Sequence, residues 1–130
     1  MSKAPIWVEK RALLHLHRES LAQFGGAGGI RDEGLLDSAL ARPINKHLHD
    51  DCADLVLLAA ASGFAIAKNH PFLDGNKRAA FLAVGVVLAI NQRRFVATPV
   101  EAVEAMLSLA AGTMDEPRFA EWIRTHSVAS

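Results

Sequence analysis

The sequence has 130 residues, of which 51% are hydrophobic, and this is enough to bury the core of one ordinary domain. Lys plus Arg and Asp plus Glu both total 14, so the net charge is zero, which argues against direct binding of nucleic acid. Cys52 is the only cysteine, which excludes a disulfide framework and a cysteine-based metal site and favours a reducing compartment, the cytoplasm.

Insertion into a membrane is not expected from the sequence. The longest apolar run, residues 79–90, is interrupted by Gly85 and is too short to cross a bilayer. The first residues lack the apolar segment of a signal peptide. Because no repeat, low-complexity tract or linker divides the chain, we expect a single domain over residues 1–130.

The first predicted helix covers residues 8–24 and has an apolar face that includes His17. A glycine-rich run, residues 25–29, ends this helix and is expected to form a flexible loop. On an apolar helix face, a buried and hydrogen-bonded histidine is commoner than a catalytic one. We therefore leave His17 out of the candidate site.

A second helix is predicted after an Asp32 N-cap, and we expect it to end within a few residues of Pro43 because proline removes a backbone donor. Residues 45–51 are then expected to form a polar connection. A third helix, rich in Leu and Ala, is predicted to start at either Asp51 or Asp54 and to run to about Lys68.

The fourth predicted helix starts at Asn76 or Lys77 and runs to about Ile90. It is apolar on every side after Arg78, which is typical of a helix at the centre of a core. A short extended segment is predicted over residues 93–98.

Two more helices are predicted near the C-terminus. Thr98, Pro99 and Glu101 supply an N-cap, a proline at the first helical position and the acid of a capping box. The helix that they start should reach Gly112, and a last helix should begin near Asp115. The expected fold class is all-α, a compact bundle of about six helices with almost no sheet.

Nine residues between the third and fourth predicted helices combine a base, a carboxylate, a turn and two cations: His70-Pro71-Phe72-Leu73-Asp74-Gly75-Asn76-Lys77-Arg78. A neutral imidazole at His70 can take a proton from an attacking hydroxyl near neutral pH. Asp74 can ligate a magnesium ion that bridges nucleotide phosphates. The motif therefore indicates phosphoryl or nucleotidyl transfer, with Mg²⁺ as the cofactor.

Four residues of the motif suit the binding of phosphate groups. Gly75 permits a left-handed turn that aims backbone N–H groups at phosphate oxygens, and Asn76 can add side-chain hydrogen bonds. Arg78 offers a planar fork, whereas Lys77 is a mobile point charge. Phe72 has no chemistry to perform, and we expect its ring to anchor the loop in the core.

An ordinary polar connection between helices is the alternative interpretation of this segment, because Asp-Gly is a common turn. Lys77 and Arg78 at a helix N-terminus oppose the helix dipole unless an anion is bound, which favours the functional interpretation.

Three other groups of polar residues are open to two interpretations each. His47 and His49, with the acids that follow them, could hold a metal ion, but two histidines one residue apart favour a solvated loop. Lys68 and Asn69 could contact nucleotide or target, or could simply end the third helix. The segment Arg31-Asp32-Glu33 could cap a helix or form a rim that faces the substrate, and its local chemistry favours the cap.

The nine-residue motif resembles that of the Fic/Doc family, roughly His-Pro-Phe-x-Asp/Glu-Gly-Asn-Gly/Lys-Arg, and matches it at every specified position. Lys77 resembles the Doc (death-on-curing) branch, as do the segments 17–26 and 29–36 in the same order. The resemblance extends over the whole chain and implies the small, all-helical Fic/Doc fold.

The resemblance also implies a function, the toxin of a toxin–antitoxin pair. Doc-type toxins resemble kinases that place the γ-phosphate of ATP on elongation factor Tu, and their partner is a small Phd-like antitoxin whose C-terminal segment folds onto the toxin. Fic proteins with Gly at the Lys77 position usually transfer AMP from ATP to a protein hydroxyl, so AMP transfer is the alternative. A third hypothesis is a catalytically silent module that only binds an antitoxin. Pro71 and Gly75 are the Fic-like choices at their positions.

Overall fold

The computed structural model describes residues 4–130, and within this range the chain forms six helices and two short strands. In chain order these are α1 (Lys10–Phe24), α2 (Glu33–His49), α3 (Leu55–Asn69), α4 (Asn76–Ile90), β1 (Arg93–Phe95), α5 (Pro99–Ala111), α6 (Glu116–Thr125) and β2 (Ser127–Ala129). The prediction of an all-α bundle of about six helices is confirmed. None of the helices in the described part of the chain is long and apolar enough to cross a bilayer.

Side chains cap the helices where the sequence predicts caps. The Asp32 carboxylate accepts a hydrogen bond from the backbone N–H of Leu35 at 3.0 Å. Thr98 and Glu101 form the complete capping box of α5. Of the two candidates for the start of α3, Asp54 is the N-cap. Each of these contacts joins residues within three positions of one another, so the local sequence is enough to specify them.

Asp54 also ties α3 to the end of α6. One oxygen of its carboxylate accepts N–H bonds from Val56 and Leu57, and the other lies 2.8 Å from the Arg124 guanidinium. Burial raises the pKa of Asp54, but the guanidinium and the N–H donors together outweigh burial and hold the pKa below its ordinary value.

The prediction that α2 ends near Pro43 is wrong, because the helix continues to His49 with Pro43 inside it. Leu36, Ala39 and Pro43 are all buried on one face of the helix. A proline inside a helix costs one backbone hydrogen bond, and burial of its ring on the apolar face offsets that loss. Residues 45–49, predicted to be a polar connection, are therefore the last turns of α2.

The centre of the core is α3 rather than α4. Ten residues of α3 are buried, against six of α4. In α4 the face that includes Phe81 and Leu82 is only half-buried and, as described below, lines a groove. The apolar composition of α4 suggests a helix buried on every side, but the structure leaves one of its apolar faces partly exposed.

Strands β1 and β2 form a small antiparallel sheet, of which the sequence predicts only β1. Arg93 pairs with Ala129, and Phe95 pairs with Ser127. The Nε–H of Arg93 also donates to the buried hydroxyl of Ser127 at 2.7 Å. The three residues of β2 are too few to show an alternating pattern, so only pairing with β1 identifies β2 as a strand.

The close packing of α3 against α4 predicts opposite effects for two helical glycines. A Cβ at Gly63 would overlap Cγ2 of Val84 and lie 3.2 Å from Phe119, whereas a Cβ at Gly85 would lie 3.7 Å from Phe95, an ordinary contact. We expect Gly63→Ala to lower the free energy of unfolding by about 1–3 kcal/mol. Gly85→Ala should raise it by about 0.4–1 kcal/mol. Urea denaturation measures both, and a stabilised Gly63→Ala variant would contradict the packing described.

The Asp54–Arg124 pair predicts a pH-dependent contribution to stability. Because the folded-state pKa of Asp54 is lowered, the contribution is complete above the ordinary carboxyl value of 3.8 and is lost as the pH falls through the lower, folded-state value. Asp54→Asn, which keeps the cap, should lower the free energy of unfolding near neutral pH by about 0.2–1 kcal/mol, since the pair is partly exposed.

Urea denaturation across this pH range measures the difference between wild type and Asp54→Asn. Arg124→Gln should cost a similar amount at neutral pH and almost nothing further in the Asp54→Asn background. A difference that persists unchanged well below pH 3.8 would rule out the ion pair as its cause.

Candidate active site

A cavity of about 400 Å³ lies over the loop that joins α3 to α4. Its lining contains every residue that the sequence analysis selects for the site, together with Leu73: His70, Asp74, Gly75, Asn76, Lys77 and Arg78. A volume of this size lies within the range of small-molecule sites in proteins. The structure thus brings the candidate residues to one place, while the role of each stays a prediction.

His70 is the residue at which α3 ends. Its backbone is left-handed, with φ 51° and ψ 60°, a conformation that few residues other than glycine adopt. The residue is exposed, and its imidazole has no hydrogen-bond partner in the described part of the chain. An imidazole in this state is free to accept a proton from a bound hydroxyl.

Phe72 anchors the loop, as the sequence analysis predicts. Its side chain is 1% exposed, and its ring stacks on His17 with the ring centroids 3.9 Å apart. The Asn76 side chain accepts from the backbone N–H of Phe72 at 2.9 Å and donates to its carbonyl at 3.0 Å. The Asn76 amide therefore holds the loop closed, a structural role that exists before any ligand binds.

The Asp74 carboxylate is exposed and is oriented by two backbone donors. Oδ1 accepts from the N–H of Gly75 at 2.8 Å, and Oδ2 accepts from the N–H of Ala27, in the glycine-rich loop, at 3.3 Å. Each oxygen keeps a free lone pair, so the carboxylate can still ligate a cation.

The cavity offers one carboxylate, that of Asp74, as a ligand for a magnesium ion. This suits an ion that binds together with a nucleotide better than an ion held by protein side chains alone. Among residues 4–130 no three His, Cys, Asp or Glu side chains cluster as metal ligands. Mg²⁺ is commonly held by one or two carboxylates, while substrate phosphates and water supply its other ligands. Asp74 can fill the protein's share of such a site.

Gly75 has the left-handed backbone that the sequence analysis expects, with φ 73° and ψ 24°, and is the N-cap of α4. A Cβ at this position would lie 3.3 Å from both Nε2 of His17 and Cδ2 of Leu21. Within the described residues no side chain caps α4, so the N–H groups of its first turn have no side-chain partner. Such a helix N-terminus favours an anion.

The two cations of the motif differ in their surroundings. Lys77 is exposed, whereas Arg78 is half-buried and donates to the carbonyls of Ser20 at 3.3 Å and Gly25 at 3.0 Å. The Arg78 guanidinium also lies 5.4 Å from the centre of the Phe24 ring. Neither cation pairs with a carboxylate among residues 4–130. Both therefore leave positive charge beside the cavity.

Sequence analysis missed two residues that hold the motif. His17 is buried and hydrogen-bonded as predicted, but its Nε2 lies 2.8 Å from the carbonyl oxygen of Asp74, 57 positions away. Arg31 donates to the carbonyls of Asn69 and His70, both at 2.7 Å. Local patterns cannot predict contacts over such separations.

The remaining candidates lie away from the cavity. His47 and His49 are in the last turn of α2, where Nδ1 of His47 lies 2.7 Å from the carbonyl oxygen of Cys52. The Lys68 ammonium lies 6.0 Å from the centre of the Phe64 ring, one turn back along α3. The Asp32 side chain caps α2 as predicted, so of the side chains in the Arg31-Asp32-Glu33 segment that of Arg31 is the one that contacts the motif, while the backbone N–H of Asp32 donates to the carbonyl of Pro71.

Comparisons with known proteins agree with the motif and the fold. The model of the Fic/DOC family matches residues 7–88, a range that begins before α1 and ends near the end of α4. Toxin Doc of Mycolicibacterium smegmatis is 45% identical over 69 residues, which are 52% of this chain and 53% of the relative, so the match spans about half the length of that protein. Protein kinase doc of Escherichia phage P1 is 25% identical over 117 residues, 90% of this chain and 92% of the relative.

The matched range contains the entire motif. It also contains α1, whose His17 contacts the carbonyl oxygen of Asp74 in the motif. With six helices among residues 4–130, a His70-to-Arg78 motif whose polar residues line one cavity, and a family model that matches more than half of the chain, this chain belongs to the Fic/DOC family.

Proposed function

We propose that this chain is the toxin of a toxin–antitoxin pair and acts in the cytoplasm as a protein kinase that transfers the γ-phosphate of ATP to a hydroxyl of a translation factor. Elongation factor Tu is the proposed target, on the basis of the resemblance to Doc-type toxins. The observation that carries the proposal is the shared cavity, in which a free imidazole, an oriented carboxylate and an uncapped helix N-terminus with two cations lie together.

The proposed reaction is a single phosphoryl transfer. His70 accepts the proton of the target hydroxyl, whose oxygen bonds to the γ-phosphorus while the bond from that phosphorus to the β–γ bridging oxygen breaks, and ADP leaves. The N–H groups at the start of α4, with Lys77 and Arg78, bind the phosphates. Asp74 would hold Mg²⁺, which offsets the phosphate charge when it is bound.

Lys77 favours transfer of the γ-phosphate over transfer of AMP. Its side chain lines the cavity beside Gly75. A lysine there would crowd a pocket in which glycine leaves room for an α-phosphate, so a reversed position of the nucleotide is physically reasonable. One relative over nearly the whole chain bears the name Protein kinase doc, which supports the same choice.

The proposed role of His70 predicts a loss of phosphate transfer without a loss of fold. We expect His70→Ala to lower the rate of transfer by about 10²–10⁴-fold, the usual contribution of a general base. His70→Asn should do the same, and it tolerates the left-handed backbone better than alanine. His15→Ala removes an exposed histidine of α1 and should leave transfer unchanged. Purified elongation factor Tu, Mg²⁺ and ATP labelled at the γ- or the α-phosphate provide the measurement.

The position of the label separates the alternatives. Transfer from γ-labelled ATP alone, lost in both His70 variants, supports the kinase. Transfer from α-labelled ATP would establish an AMP transferase instead and would contradict the inference from Lys77. Transfer that survives in the His70 variants would remove His70 from the reaction. If neither label is transferred, the silent binding module gains support, and absence of growth arrest on expression would establish it.

An apolar groove supports the antitoxin as a partner. It lies between α1, α4 and α5, has a volume of about 550 Å³ and includes Phe81, Leu82, Met106 and Leu107 in its lining. Lys77 and Arg78, which also line the catalytic cavity, belong to this groove too. The apolar walls carry two cations against the single carboxylate of Glu19, which fits an amphipathic helix with an acidic side chain, and we propose that the C-terminal segment of the antitoxin is the occupant.

A charge placed in the groove should weaken binding of the antitoxin. Val103 lines the groove and is 57% exposed, so Val103→Glu should fold normally. We expect it to raise the Kd for the antitoxin encoded beside this gene by about tenfold or more, because a carboxylate would be buried against apolar side chains. Leu48→Glu, at a 67% exposed position of α2, is the matched control. Titration calorimetry gives both constants, and equal effects of the two substitutions would exclude the groove as the binding site.

A further inference from the structure

Arg31 contacts three consecutive carbonyl groups at the end of α3. Its Nε donates to the carbonyl of His70 and its Nη2 to that of Asn69, both at 2.7 Å. Its backbone N–H donates to the carbonyl of Pro71 at 2.7 Å, and the N–H of Asp32 donates to the same oxygen at 3.0 Å. The guanidinium fork and the adjacent backbone thus fix the chain on both sides of His70.

The carbonyls of Asn69 and His70 need such partners because these residues are the last residue and the C-cap of α3. The last carbonyls of a helix have no partner within the helix, and they carry the negative end of its dipole. A glycine usually supplies the left-handed turn that ends a helix, yet here the residue is His70 with φ 51°. A side chain in that conformation persists where surrounding contacts determine the backbone, and Arg31 supplies those made to the carbonyls of Asn69 and His70.

The His70 imidazole depends on this backbone for its direction. No side-chain hydrogen bond within residues 4–130 orients the ring, and the residue is exposed. The Cα–Cβ bond is rigidly attached to the backbone, so the position of the backbone at residues 69–71 determines where the ring begins. We infer that Arg31 is a positioning residue for the imidazole of His70, acting through the carbonyls of Asn69 and His70. Its effect on phosphate transfer rests on the proposed function, whereas its effect on the His70 backbone does not.

Two substitutions at Arg31 distinguish the effect of its paired N–H donors from the effect of its positive charge. Arg31→Gln removes the charge and the two-nitrogen fork, and Arg31→Lys keeps the charge but offers one nitrogen for two carbonyl oxygens. Arg124→Gln is the matched control, because Arg124 also ties a distant segment to α3, but at the opposite end, through Asp54. Both glutamine variants should lose some thermal stability, so a purely structural role would affect them alike.

The first measurement requires no catalysis. The chain has six histidines, and their ¹³Cε1–H resonances can be recorded together, with the signal of His70 assigned from His70→Ala. We expect the His70 resonance to shift or double in Arg31→Gln, to change less in Arg31→Lys and to stay in place in Arg124→Gln.

The second measurement is phosphate transfer to elongation factor Tu. Misplacement of a reacting group by about 1 Å can cost about 100-fold in rate, so we expect kcat of Arg31→Gln to fall by about 10- to 100-fold while KM for ATP stays the same. Arg31→Lys should recover part of the rate. Arg124→Gln should keep both constants.

An unchanged His70 resonance in Arg31→Gln would overturn the inference, and so would a kcat no lower than that of Arg124→Gln. If wild type transfers no phosphate, the proposed function fails, and the resonance of His70 alone then decides whether Arg31 positions it.

Discussion

The burial of Phe72 is the contact on which the rest of the site depends. Its ring is 1% exposed and stacks on His17 of α1, and the Asn76 side chain binds both its N–H and its carbonyl. A six-residue connection with its middle buried must turn the residues on either side outward, because a short chain has few other paths. His70 and Asp74 are thereby exposed on one side of the molecule, at the cavity.

Helix α1 and the glycine-rich loop that follows it, residues 25–29, also hold the motif in place. His17 lies against the carbonyl of Asp74, Ala27 donates to its carboxylate, and Arg78 donates to Ser20 and Gly25. Side chains that suit a metal ion or phosphate thus already have backbone partners. Contacts of this kind orient the groups in advance, so less ordering remains for the moment when a ligand binds.

Two cations of the motif lie where the candidate cavity meets the apolar groove. Lys77 and Arg78 line both the cavity over the motif and the apolar groove between α1, α4 and α5. The groove exists because α4 leaves the face of Phe81 and Leu82 half-buried, although its composition suits a helix surrounded on all sides. In the proposed pair, an antitoxin in this groove would sit beside the residues proposed to bind phosphate, so occupancy of the groove and of the cavity would be coupled through two shared cations.

The sequence by itself determined what local interactions control: the helix starts at Asp32, Thr98 and Asp115, the turn at Gly75, and the set of residues in the motif. Each of these features depends on residues only a few positions apart, so the pattern of residue types along a short segment is enough to predict it. Tertiary structure alone decided that α2 passes through Pro43, that β2 forms, that His17 supports Asp74 and that Arg31 holds the left-handed turn of His70. These outcomes depend on burial or on partners 32 to 57 positions away, and a contact between distant segments leaves no periodic pattern in either segment.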